Sequence, residues 1–141
     1  MAYCTLDDIK AMVDEDELIS LTDDFDTGSV VTVKVDSAIK DADALIDSYL
    51  VRQYSVPMDS VPDMVKKLSV DIAVYNIYSR RGRTSDTVEK RYNDAVKFLK
   101  DVARGDAGII GATTAPAEMR NDAVAITTSP RIFSRRSMEG F

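Results

Sequence analysis

Apolar side chains recur along most of this chain at helical intervals and give way to a different texture near its end. Leu6, Ile9 and Val13 or Met12 mark a short first helix, with Thr5 as N-cap and Asp8 at a capping-box spacing. A second short helix is predicted from about Asp14 to Leu21. Its first turn holds Asp14, Glu15, Asp16 and Glu17, where the helix dipole favours negative charge. Val35, Ile39, Ala42, Ile46 and Tyr49 predict a long helix over about 36–54. Before Asp36 the run "SVVTVKV" is β-branched and partly alternating, so a short strand competes for that stretch.

Pro57 and Pro62 then break the pattern. Ser60 is the expected N-cap of a second long helix over about 61–79, with Pro62 in its first turn. Met64, Val65, Leu68, Val70, Ile72, Ala73, Val74, Tyr75, Ile77 and Tyr78 cover nearly its whole circumference, the mark of a central helix. Asp71 interrupts that surface and is expected on its one polar strip; buried, it needs a cationic or hydrogen-bonding partner. A third long helix over about 86–104 follows, capped by Thr84 or Ser85 and stopped by Gly105. Val88, Tyr92, Ala95, Leu99 and Val102 form its inner stripe. From Asp106 the amphipathic period ends, and only "AVAITT" at 123–128 passes for a strand. The expectation is a mainly α protein: three long and two short helices as a body over 1–105, then an extended arm over 106–141.

Charge adds an asymmetry to this picture. Residues 1–60 carry 14 acids and 4 bases, a balance of −10, whereas residues 61–105 carry 6 acids and 10 bases, a balance of +4. Such polarity suits an oriented partner as well as chance clustering on wet helix faces. The start of the chain lacks the basic and apolar regions of a secretory signal, and no apolar run reaches the ~18–20 residues of a bilayer span. A cytosolic protein with no membrane association is expected.

The candidate chemistry is sparse. There is no histidine, and the one cysteine, Cys4, reads as a packed or fraying thiol. A calcium loop around Gly28 fails: the first, third and fifth places would be Asp23, Phe25 and Thr27, and the twelfth Lys34. The nucleotide, hydrolase and metalloprotease fingerprints are missing. No catalytic residue, metal or cofactor is expected. Arg80, Arg81 and Arg83 form a basic loop that is the candidate DNA-facing group, in a small helical nucleic-acid-binding regulator or on the rim of a ring.

The last thirteen residues, "SPRIFSRRSMEGF", set Arg131, Arg135 and Arg136 among Ile132, Phe133, Met138 and Phe141. Burying four large apolar side chains does not offset the entropy of ordering such a segment by itself. A partner offering backbone hydrogen bonds and carboxylates, as in strand addition, would supply the rest. These seven residues are the candidate partner-binding set.

The stretches "MAYCTLDDIKAMVDEDELISLTD", "IDSYLVRQYSVPMDSVPDMVKKLSVDIAVY", "RYNDAVKFLKDVARGDAGI" and the closing "SPRIFSRRSMEGF" resemble, in this order, the Mu-type head–tail connector (head-completion or neck adaptor) family of tailed phages. The resemblance spans most of the chain. It implies a helical adaptor in the virion neck, assembled in the host cytoplasm as a ring of its own copies. It further implies a portal protein on the head side, a neck or tail-completion protein on the tail side, packaged DNA in the central channel as a further candidate contact, and arms that reach neighbours or the portal.

Overall fold

The structure, a computed structural model, describes residues 1–116. Five helices follow in order: α1 (Leu6–Lys10), α2 (Glu15–Thr22), α3 (Thr32–Leu50), α4 (Asp63–Arg80) and α5 (Asp86–Arg104). The three long helices form the bundle, with α4 packed against both α3 and α5, and the short helices α1 and α2 pack against α4. Leu18, Leu21, Val35, Ile46, Leu50, Val65, Leu99 and Val102 are wholly inaccessible to solvent and form the centre of the core. The rings of Tyr75 and Tyr92 stack at 3.9 Å between α4 and α5.

The termini of α1 and α5 follow local chemistry. The Asp8 carboxylate accepts the Thr5 N–H at 2.8 Å while Thr5 Oγ1 accepts the Asp8 N–H, a reciprocal capping box. Of the two candidate caps for α5, Ser85 takes the place and accepts the N–H of Val88. Gly105 ends α5 in the left-handed region at φ 87°.

Three expectations need correction. The competing strand before Asp36 is absent, because α3 begins at Thr32, four residues earlier than its expected start. Val35 and Ile39 stack one turn apart in the core, and that burial outweighs the β-branched preference. Ser60 does not cap α4; Pro62, extended at φ −64° and ψ 149°, occupies the N-cap, where its lack of an N–H costs nothing. Asp71 does not lie on a wet strip. It is only 5% exposed, and Lys67, one turn earlier and largely in solvent, reaches its Oδ2 at 2.8 Å.

Residues 107–115 lie against the body. Ile109 and Ala115 are buried, and the Ile109 N–H donates to the Tyr54 hydroxyl at 2.7 Å. Ser55 N–H donates to Thr113 O and Ala115 N–H to Gln53 O, both at 2.9 Å, around an antiparallel bridge between Tyr54 and Thr114. The expected strand at 123–128 lies outside the described residues. Among the described residues no helix is long and apolar enough to cross a membrane.

Candidate interaction site

The arginine group begins at Arg80, the last residue of α4, and continues into the loop after it, with its side chains running along the end of α2. A helix terminates with unsatisfied carbonyls, and here cations meet them. Arg80 Nη2 donates to Leu21 O at 2.8 Å, Arg81 Nη2 to Asp23 O at 2.7 Å and Lys34 Nζ to Thr22 O at 2.9 Å. Asp24 is the hub: it accepts both Arg80 Nη1 and Nη2, at 3.1 and 3.0 Å, pairs with Arg81 at 2.9 Å, and pairs with Lys34. The Arg80 guanidinium, then Lys34, holds the Asp24 carboxyl well below the usual carboxylate range. Arg83 reaches the Ser20 hydroxyl at 2.8 Å.

Asp23 shapes the loop from inside. Its carboxylate accepts the N–H of Gly28 at 2.7 Å and that of Phe25 at 3.2 Å, and bonds from the Thr27 backbone, then from Gly28 and Phe25, keep its pKa low. The acidic run is thus a built turn. Phe25 stands exposed on it at 86%, and Val33, in the first turn of α3, is 74% exposed.

A groove of about 640 Å³ opens at the other end of α4. Val61, Pro62, Asp63 and Met64 line one side, and Phe98 with the loop 108–111 lines the other. Ile110 on that loop is 96% exposed. A single such side chain is ordinary; beside Met64 and half-buried Phe98 it extends a continuous apolar lining.

The N-terminal residues close a buried polar cluster. Tyr3 N–H donates to Asp43 Oδ2 at 3.0 Å, and Ser69 Oγ donates to Asp43 Oδ1 at 2.7 Å. The Tyr3 hydroxyl donates to Asp47 and accepts the Met58 N–H at 3.2 Å. Burial pushes the Asp43 carboxyl up, and burial also pushes the Cys4 thiol up. A buried thiol held protonated is a poor nucleophile, so Cys4 packs. Among the described residues no three acidic or cysteine side chains are placed to hold a metal ion.

The model of a family described as bacteriophage Mu, Gp36 matches residues 3–128. The chain belongs to that family. "Gene product J" of Escherichia phage Mu is 29% identical over 144 aligned positions, spanning all of this chain and 99% of that protein. "Mu-like prophage FluMu protein gp36" of Haemophilus influenzae is 29% identical over 114 positions, 80% of this chain and 79% of that protein. The resemblance drawn from the sequence to Mu-type phage proteins is therefore correct at the level of the family.

On this Gp36-family body, Arg80, Arg81 and Arg83 come together, each engaged with the 20–24 segment. Arg131, Ile132, Phe133, Arg135, Arg136, Met138 and Phe141 lie outside the described residues. Sequence reasoning passed over Phe25, Val33, Met64 and Ile110. Phe25 had a legible signal, as the one aromatic inside a polar acidic loop. Ile110 had none, because "GII" reads equally well as two buried residues, and only Ile109 is buried.

Proposed function

We propose that this protein is a non-enzymatic structural adaptor of the phage neck. Copies of it assemble as a ring beneath the portal protein and join the DNA-filled head to the tail-side neck or tail-completion protein. Residues 129–141 are the docking arm: Arg131, Arg135 and Arg136 pair with carboxylates of the receiver, and Ile132, Phe133, Met138 and Phe141 fill its apolar pockets. The observation that carries this reading is the composition of that ending, in a chain of a bacteriophage Mu family. The engagement of Arg80 and Arg81 with Asp24 and the α2 carbonyls favours the adaptor over the nucleic-acid regulator, which needs those guanidinium groups for phosphates.

The test is deletion of 129–141, followed by electron microscopy of portal-bearing heads incubated with the truncated protein. The expected result is a folded helical protein that no longer decorates the portal vertex. Replacement of Phe133 or Arg135 alone should weaken docking and leave Tm nearly unchanged. Normal docking by the truncated chain overturns the proposal.

A further inference from the structure

We propose that neighbouring copies join head to tail, with the Phe25 loop of one copy seated in the Ile110 groove of the next. The inference rests on the ring reading above and names its contact. Two of the apolar features exposed among the described residues differ in shape. Phe25 stands on the exposed loop between α2 and α3 and Val33 in the first turn of α3, whereas Val61, Pro62, Met64, Phe98 and Ile110 line a recess. They sit at opposite ends of α4, whose 18 residues separate them by roughly 27 Å at the helical rise. Within one copy that rigid spacer keeps knob and recess apart. A second copy carries the matching half of each.

Three further observations favour this occupant. The loop is pre-organised by Asp23, Asp24, Lys34, Arg80 and Arg81, so little ordering entropy is lost when it docks. A rigid, exposed aromatic is the usual anchor of a protein interface. The charge balance points the same way: around the knob Lys34, Arg80, Arg81 and Arg83 outnumber Asp23, Asp24 and Asp26 by one, while the recess carries Asp63 with exposed Asp59 just before it. A contact between two different patches repeats at every subunit and closes a ring when its rotation allows. Phe25 and Ile110 anchor such an interface; surrounding surface completes the ~800 Å² a side that a stable one needs.

The test uses the full chain. A Phe25→Cys/Ile110→Cys double variant, oxidised under conditions that leave buried Cys4 untouched, should give a ladder of covalent multimers on a non-reducing gel. Either single variant alone should give no ladder, and an equal mixture of the two should stop at dimers. In light scattering, Phe25→Glu and Ile110→Glu should each weaken self-association at least ~10-fold. Their mixture should form dimers, because one partner keeps its knob and the other its recess. Rings that form without the cross-link overturn the contact and leave the neck adaptor standing. A ladder from a protein missing from the neck of purified particles supports the contact and removes the adaptor. The contact also fails if the two thiols join within one chain, if the protein stays monomeric without a cross-link, or if Ile110→Glu lowers Tm by many degrees, since that side chain would then be covered by its own polypeptide.

Discussion

Replacing Tyr3 by Phe isolates what one oxygen atom does for the body. The Tyr3 ring is buried, and its volume survives the substitution, so no cavity forms. The lost hydroxyl held two partners: it donated to Asp47 and accepted the N–H of buried Met58. Its own ionisation is suppressed, first by burial and then by Asp47, so it remains a donor throughout the neutral range. Leaving the Met58 N–H unpaired costs about 1–3 kcal/mol. The bond to the carboxylate adds roughly 1 kcal/mol, less than a fully buried charged bond because half-buried Asp47 regains water. The total is about 2–4 kcal/mol, a fall in Tm on the order of 10 °C for a body of this size. Thermal melts followed by far-UV circular dichroism measure it directly. Urea unfolding should show a lower midpoint at unchanged slope, and a cycle with Asp47→Asn should return a coupling of roughly 1 kcal/mol. A Tyr3→Phe protein melting within about 2 °C of the parent would show that the hydroxyl carries none of this stability.

Asp24→Asn should lower Tm near neutrality, and the deficit should shrink in acid. The folded pKa of Asp24 lies below its ordinary 3.8, so its stabilisation is complete above that value and fades as pH falls through the folded one. A deficit that stays constant down to about pH 2 would refute the linkage. Gly105→Ala places a side chain at φ 87°, with only Gln53 Nε2 near its Cβ, at 3.8 Å. The cost is then one of backbone conformation, about 1–2 kcal/mol or a Tm drop of ~5 °C, and an unchanged melt would contradict it.

The parts of this fold that were readable from sequence are those whose causes are local. The range 86–104 for α5 matches the structure at both ends, because Ser85, an uninterrupted apolar stripe and Gly105 all act within one turn of the boundary. The α3 start was ambiguous because Val30, Val31, Val33 and Val35 favour extended chain, and what decides it is the core that receives Val35. Asp71 had its partner in plain view, four residues back at Lys67. What pulled the carboxylate inside is the packing of α4 between two neighbours, which no local window contains. The basic loop was harder still. Arg80 meets Asp24 across 56 positions, so the sequence displays three unpaired cations while the fold spends two of them on one carboxylate.

The short pairing of Tyr54 with Thr114 sets which contacts a pull on the following chain would meet first. Anything that pulls on the chain beyond Pro116 draws first on two backbone hydrogen bonds, at Gln53 and Ser55, and on the Tyr54 phenol beneath Ile109. That clasp is far weaker than the helical bundle behind it, so strain is relieved by peeling about ten residues of slack from the surface while α3, α4 and α5 stay folded. If residues 129–141 dock as proposed, this segment yields under load before the bundle does.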